Sequence, residues 1–169
     1  ETGQIVLIMD GRIDNHEELR RRLNSRGVRL RSMADEELVL QSYIVFGESC
    51  ADNFEGDFAI VIWDARQQLV FCLRDHFAHK SFHYTWNGAT LSIATEVAPL
   101  LELPWVSEEL NDLTVAEFVE SNWFSQDTSL WKDIHRLPAA HMLRCRKEGL
   151  TCIEYWRPDV YAECPVKSE

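Results

Sequence analysis

The chain has 169 residues, of which 46% are apolar and 11% aromatic, a composition typical of one globular domain and incompatible with wholesale disorder. Its formal net charge of −11 disfavours general nucleic-acid binding, because the phosphate backbone is also negative. No apolar run approaches the roughly 18 to 20 residues that a membrane-spanning helix needs, and no basic flank precedes the first apolar run. We therefore expect neither a nucleic-acid partner nor a membrane partner.

Basic residues and cysteines add two weaker indications. Residues 10–31 hold seven of the 17 basic residues together with four acidic ones, without interleaved aromatics. This stretch is compatible with a phosphate-binding patch, a solvated helix face or a domain interface. The five cysteines are odd in number and include no Cys-x-x-Cys pair, which argues against a disulfide framework or a zinc knuckle (Cys50, Cys72, Cys145, Cys152 and Cys164). A reducing, cytoplasmic location is the default expectation for such a chain.

The first half of the chain predicts a strand followed by two helices. The continuous apolar run at residues 5–9 predicts a buried strand, and such a strand needs a partner on each side. Asn15 can cap a helix over residues 15–26, with Glu18 at the capping-box position and Gly27 as the stop. A second helix is predicted over residues 35–46. Because the first strand begins almost at residue 1, the chain is expected to start in the middle of a sheet.

The second half predicts antiparallel strands and two further helices. Residues 58–63 are apolar throughout and predict a strand covered on both faces, followed by a strand at 69–73. Strands at 81–86 and 89–93 flank Asn87-Gly88, a strong hairpin signal. Short helices are predicted at 96–101 and from residue 111 or 112 to 121, and a last hairpin pairs 141–146 with 150–155. Sequential strand pairing of this kind is typical of an α+β fold with antiparallel sheets.

Six motifs occur here in the order found in asparagine synthetases, and together they make the chain resemble the glutaminase domain of that family, a class II glutamine amidotransferase. The first is Asp10-Gly11-Arg12-Ile13-Asp14-Asn15-His16, where the family has Asn-Gly-Glu-Ile-Tyr-Asn-His. The others are Asp35-Glu36-Glu37 after Ala34, Glu55-Gly56-Asp57-Phe58-Ala59, Arg74-Asp75-His76, Ala94-Thr95-Glu96, and Ile134 to His141, which is similar to Ile-x-x-Leu-Pro-Pro-Gly-His.

The resemblance implies a four-layer α/β/β/α sandwich of antiparallel sheets, the N-terminal-nucleophile hydrolase fold, here lacking its N-terminal strands. Residues 1–158 would form an N-terminally incomplete class II glutamine amidotransferase-like domain, and residues 159–169 a linker toward an ATP-dependent synthetase domain. The family nucleophile is a cysteine at the mature N-terminus, whereas residue 1 is Glu here. We therefore expect no catalytic residue in this chain.

The resemblance also assigns the remnant of a glutamine pocket. Asp10 and Gly11 occupy the oxyanion-hole position, but an ionised Asp accepts hydrogen bonds only, where the family Asn donates one. Arg12 replaces a Glu that helps to bind the substrate ammonium group, while Asp35 and the adjacent Glu36 keep the acidic character of the rest of the pocket. The remaining motif residues are expected to be structural (Asn15, Arg74, Asp75, His76 and Glu96).

These substitutions favour a degenerate glutaminase site with a scaffold role, in an asparagine synthetase-type, ATP-dependent, amide-forming ligase. Relatives with such pockets include lasso-peptide cyclases and β-lactam synthetases. The alternative is the working glutamine-hydrolysing domain of an asparagine synthetase that supplies ammonia to aspartate, and a third possibility is a stand-alone binding module. The expected partners are an N-terminal segment, a C-terminal synthetase domain that uses ATP and magnesium, and further copies of the chain. The chain itself should hold no cofactor.

His76, His79 and His83 are spaced closely enough to suggest a metal site. Their segment is predicted as a loop that enters a strand, and only Asp75 could complete the set. Loop and core histidines are the competing interpretation, and no metal site is predicted.

Overall fold

The computed structural model describes residues 3–160, and within them the chain alternates strands and helices. The strands are β1 (Ile5–Ile13), β2 (Gly56–Asp64), β3 (Leu69–Arg74), β4 (His83–Trp86), β5 (Leu91–Ala94), β6 (His135–Arg136), β7 (His141–Arg146) and β8 (Gly149–Glu154). The helices are α1 (His16–Ser25), α2 (Asp35–Phe46), α3 (Ala98–Leu101) and α4 (Asp112–Val119), with a 3-10 helix at Gly47–Asn53.

A five-stranded antiparallel sheet in the order β1-β2-β3-β7-β8 carries the first core. Helices α1 and α2 cover one of its faces, because their apolar side chains and those of alternate strand residues are buried together. The core includes Leu19 and Leu23 of α1, Leu38 and Tyr43 of α2, and Phe71 of β3. Burial of such large side chains is worth about 1.5–3 kcal/mol each, so this layer is the main source of stability.

A three-stranded sheet in the order β5-β4-β6 packs on the opposite face. A second apolar cluster joins the two sheets through Ala59 of β2, Cys72 of β3 and Leu143 of β7, together with Phe82 and Leu137. Helix α3 contacts β5. Two antiparallel sheets therefore stack, with α1 and α2 on the outer face of the larger one, and the predicted α+β fold of antiparallel sheets is confirmed.

Strand β1 differs from its prediction. It runs on to Ile13 and pairs only with β2 in the described part of the chain, so it is an edge strand without a partner on each side. One face packs on the helices, while Val6 and Ile8 on the other face are 48% and 70% exposed. Complete burial was the expectation because the run is apolar without interruption. Successive side chains of a strand point to opposite faces, and only one face of β1 is covered.

The remaining predictions agree with the structure more closely. Strand β2 is covered on both faces over most of its length, and Asn87 accepts backbone hydrogen bonds from Ala89 and Thr90 in the β4–β5 hairpin. Helix α4 begins after Asn111, whose side chain caps the helix by accepting the backbone N–H of Thr114. Asn15 precedes α1 without a side-chain cap, so its predicted capping role is wrong.

Four cysteines lie within the described residues and all of them are free. Cys164 falls outside that range, as does most of the predicted linker at 159–169. No helix within residues 3–160 combines the length and the apolar character that crossing a membrane requires.

Candidate functional site

The predicted pocket residues lie at the end of β1, where the strand runs very close to β2. Gly11 has a φ of +124°, and a Cβ added there would lie 2.0 Å from the backbone oxygen of Asp57. Gly56 of β2 has a φ of +146°, and its added Cβ would lie 2.3 Å from the backbone oxygen of Arg12. Glycine is therefore required at both positions, and this close approach fixes the backbone between Asp10 and Arg12.

Asp10, which the resemblance assigns to the oxyanion-hole position, forms an ion pair with Lys80. Its Oδ1 lies 2.9 Å from the Lys80 Nζ, across 70 residues of sequence. A carboxylate that accepts from an ammonium group donates no hydrogen bond in return. The side chain that would have to donate to an oxyanion is therefore already engaged as an acceptor.

Arg12 is held by two carboxylates. Its guanidinium donates from Nε to Asp14 at 2.9 Å and from one terminal nitrogen to Asp57 at 2.5 Å. The hydrogen bonds to Asp14 and Asp57 raise the pKa of Arg12. The positive charge is consequently fixed beside Gly11, at the position where the resemblance places an ammonium-binding carboxylate.

Asp35, the other carboxylate of the predicted pocket, binds to the same end of β1. Its Oδ2 accepts the backbone N–H of Ile13 at 2.8 Å, and its Oδ1 lies 2.7 Å from the Nε2 of His16. Glu36 follows in α2 and is exposed, and no hydrogen bond or ion pair joins it to Asp10 or Arg12. The structure thus places Asp35 next to the end of β1, whereas Glu36 remains outside this contact network.

Asn15 ties the start of α1 to the segment before β2. Its side-chain nitrogen donates to the backbone oxygen of Asn53 at 2.8 Å, and its oxygen accepts the backbone N–H of Glu55 at 3.1 Å. Asn15 therefore joins two segments that are distant in sequence, through a long-range contact instead of a helix cap.

Arg74 and Asp75 hold the conformation of the loop that places Lys80 next to Asp10. The buried Asp75 carboxylate accepts the backbone N–H groups of Phe77, His79 and Lys80 at 2.9–3.1 Å. Arg74 donates to the backbone oxygens of Ala78 and Lys80 in the same loop and to that of Leu137. Such charge-assisted hydrogen bonds are stronger than neutral ones, so the loop conformation is strongly specified.

The three spaced histidines do not converge on one point. His76 packs against Trp156 with ring centroids 4.7 Å apart, and burial lowers its pKa. The Nδ1 of His83 donates to the backbone oxygen of Thr95, next to the exposed Glu96, and burial lowers the His83 pKa as well. Neither His76 nor Glu96 forms a hydrogen bond or ion pair with Asp10 or Arg12 in the described part of the chain.

A different group, Asp57, Asp75 and His79, brings potential metal-ligand atoms within 4.8 Å of one another. The Asp75 oxygens already accept three backbone N–H groups, and the Arg12 guanidinium occupies one oxygen of Asp57. A neighbouring guanidinium repels a cation, so these three residues form a hydrogen-bonded ion cluster more readily than a metal site. Sequence spacing missed Asp57, because strand pairing brings it to Arg12 from 45 residues away.

No cysteine in the described residues is placed to act as a nucleophile. Burial raises the pKa of the Cys50, Cys72 and Cys145 thiols, and that of Cys152, which keeps all four protonated at neutral pH. The thiolate is the reactive form of cysteine. The arrangement around Asp10 can therefore bind charge, but these thiols do not supply an attacking group.

Comparison with known proteins assigns this architecture to a family. The family described as "Glutamine amidotransferase domain" matches residues 1–156. An asparagine synthetase (glutamine-hydrolysing) of Bacillus subtilis strain 168 is 32% identical over 152 residues, which cover 89% of this chain and 25% of that protein. An amidase of Gibberella zeae is 27% identical over 96% of this chain and 24% of its own length. The chain thus spans about a quarter of the length of these curated relatives.

Solved structures agree on the fold. A glutamine phosphoribosylpyrophosphate amidotransferase from Bacillus subtilis superposes with a TM-score of 0.62 over 94% of this chain and 30% of its own, at 12% identity. A structure described as the allosteric regulatory enzyme of purine biosynthesis gives a TM-score of 0.63 with the same coverage and identity. These similarities concern the fold alone, whereas the match of residues 1–156 concerns the sequence. The chain therefore belongs to the glutamine amidotransferase domain family, in a form related to asparagine synthetases.

Proposed function

We propose that this chain is the amidotransferase-like domain of an asparagine synthetase-type, ATP-dependent, amide-forming ligase, and that it has lost glutamine hydrolysis and serves as a scaffold. The observation that carries the proposal is the ion pair between Asp10 and Lys80. Amide hydrolysis needs hydrogen-bond donors directed at the developing oxyanion, and losing one costs about 3–4 kcal/mol of transition-state stabilisation. An Asp10 carboxylate paired with Lys80 is an acceptor at a position that requires a donor.

The charge of Arg12 supports the same proposal. A guanidinium beside Gly11 cannot accept the N–H groups of the α-ammonium group of glutamine, where the resemblance calls for a carboxylate that does. Its two hydrogen bonds to Asp14 and Asp57 hold it in place. Ground-state binding and oxyanion stabilisation are thus both weakened by the same two substitutions, as in ligases whose amine is already part of the substrate, such as lasso-peptide cyclases.

The rest of the proposed ligase lies outside this chain. The curated relatives are about four times as long, which leaves room for a synthetase domain that would use ATP and magnesium. In that assembly the present domain would contact the synthetase domain and position it, without supplying ammonia.

The second candidate is a working glutaminase domain of an asparagine synthetase. It is favoured by the 32% identity to a relative named as glutamine-hydrolysing and by the retention of Gly11 and Asp35. A working glutaminase would release glutamate from glutamine, and the first candidate would not.

Glutamate release by the full-length gene product separates the two candidates. The protein is incubated with L-glutamine, with and without ATP and magnesium, and glutamate is measured by a coupled dehydrogenase assay. The Bacillus subtilis relative, assayed in parallel, is the positive control. We expect no glutamate above the buffer level from this protein, whereas steady turnover would establish the glutaminase and contradict the proposal.

A further inference from the structure

A cleft of about 490 Å³ opens beyond the Arg12–Asp57 ion pair, at the end of the large sheet where β2 begins. Carboxylates and aromatic rings line it together. The carboxylates belong to Asp14, Asp52, Glu55 and Asp57, and the principal rings to Phe77 and Trp156. Asp14 and Asp57 also hold Arg12, whereas Asp52, Glu55 and the rings take no part in the proposed function.

The acidic lining of the cleft is not neutralised by the described residues. Asp14 and Asp57 share the Arg12 guanidinium, and His79 lies 3.0 Å from Asp57. Asp52 and Glu55 are exposed, and their carboxylates form no hydrogen bond or ion pair with any residue between 3 and 160. Four carboxylates therefore face one guanidinium, which leaves a negative potential inside a concave surface.

The aromatic lining is an independent observation. Phe77 is 71% exposed although it is a large apolar side chain, and it is held edge-on to Trp156 with ring centroids 5.8 Å apart. His76 completes the wall at 4.7 Å from Trp156. Burial lowers the pKa of His76, so its ring is uncharged at neutral pH and does not offset the carboxylates. Aromatic faces carry negative quadrupole charge and attract cations.

We propose that this cleft binds an organic cation, a guanidinium or alkylammonium group, between the aromatic rings and the free carboxylates. The aromatic faces of Phe77 and Trp156 contact the cation and its aliphatic stem. The carboxylates of Glu55 and Asp52 accept its N–H groups. A bare metal ion would gain little from the aromatic wall, and an anion would be repelled, so the pairing of rings with carboxylates selects this ligand class.

Calorimetric titration of the 169-residue chain with n-butylguanidinium tests the proposal. The neutral isostere n-butylurea is the matched ligand control, and n-butylammonium distinguishes a preference for the planar guanidinium from one for a compact ammonium. We expect saturable binding of at least one of the two cations and no heat from n-butylurea. Tryptophan fluorescence should change on titration in the natural chain, and Trp156→Phe should remove that change.

Variants locate the site. Glu55→Gln and Phe77→Ala are expected to weaken binding by about three- to tenfold, the usual effect of losing one charge-assisted hydrogen bond or one exposed cation–π contact. Glu148→Gln and Phe124→Ala are the controls, because Glu148 and Phe124 are exposed elsewhere and Phe124 is 72% exposed, like Phe77. Failure of either cation to bind at millimolar concentration, binding of n-butylurea, or equal losses in the control variants would overturn the proposal.

Discussion

At the scale of single residues, the loop after β3 shows how backbone constraints place the chemistry. The Asp75 carboxylate accepts three backbone N–H groups of this loop, so the Lys80 side chain starts from a fixed point and reaches Asp10. Within the same loop, Ala78 has a φ of +56°, in the left-handed region that favours glycine. The loop therefore maintains its conformation against a local steric cost of about 1–2 kcal/mol.

Replacing Ala78 by Gly should relieve this cost. The gain from removing left-handed strain, about 1–2 kcal/mol, exceeds the added unfolded-state entropy of glycine, about 0.4–1 kcal/mol. We expect Ala78→Gly to raise the free energy of unfolding by about 0.5–1 kcal/mol, measured by urea denaturation as a higher midpoint with an unchanged slope. Ala94→Gly, in strand β5 at a negative φ, is the control and should lower the stability. A loss of stability in Ala78→Gly would contradict the strain argument.

At the scale of elements, hydrophobic periodicity and turn signals were sufficient to predict most strands and helices. The apolar run of β2, the Asn87-Gly88 turn and the capping of α4 at Asn111 are local signals, and each is found in the structure. What local signals could not provide are contacts between distant segments. Asn15 was assigned to a helix cap because its partners, Asn53 and Glu55, come from a segment nearly 40 residues away.

Sequence motifs likewise located part of the candidate site. Motif order located Asp10, Gly11, Arg12 and Asp35, and a hydrogen bond from the Ile13 backbone to Asp35 joins α2 to the end of β1. The partners that decide their chemistry, Lys80 and Asp57, were absent from the sequence-based pocket, since a basic residue 70 positions away carries no pattern that links it to Asp10. A changed charge at a motif position can be seen in the sequence, whereas the residue that pairs with it is known only from the fold.

Strand β1 leads to a prediction about association. Its outer backbone edge is unpaired in the described residues, and Val6 and Ile8 leave an apolar face beside Trp63. Such edges pair with other strands, and in a purified sample the available partner is a second copy of the chain. We therefore expect light scattering to give a mass well above the 19.7 kDa of the monomer.

Charged residues on this strand should reverse the association. Val6→Lys combined with Ile8→Lys is expected to shift the measured mass toward 19.7 kDa, because lysine on an edge strand opposes pairing. Leu113→Lys combined with Val119→Lys, at exposed apolar positions of α4, is the matched control. A monomeric natural chain, or dissociation caused by the α4 variant alone, would show that the β1 edge is not an association surface.

At the scale of the whole molecule, the two sheets and the long-range ion pairs act together to define the pocket. The close approach of β1 to β2 at Gly11 and Gly56 fixes the backbone, the second sheet covers the neighbouring strands, and the loop after β3 brings a cation to Asp10. A glutamine amidotransferase fold is thereby retained, while position 10 gains a negative charge and the charge at position 12 is reversed relative to the family pattern. The central claim of this account is that these two charges exclude glutamine.

Calorimetric titration with L-glutamine tests that claim most directly, comparing the natural protein with Asp10→Asn combined with Arg12→Glu, in the full-length gene product. The double variant restores an amide donor and an ammonium-binding carboxylate. Glu102→Gln combined with Arg157→Glu makes the same net change of charge at exposed positions outside the pocket and serves as the control. The account predicts no binding by the natural and control proteins and saturable binding by the double variant. Glutamine binding by the natural protein, or none by the double variant, would contradict it.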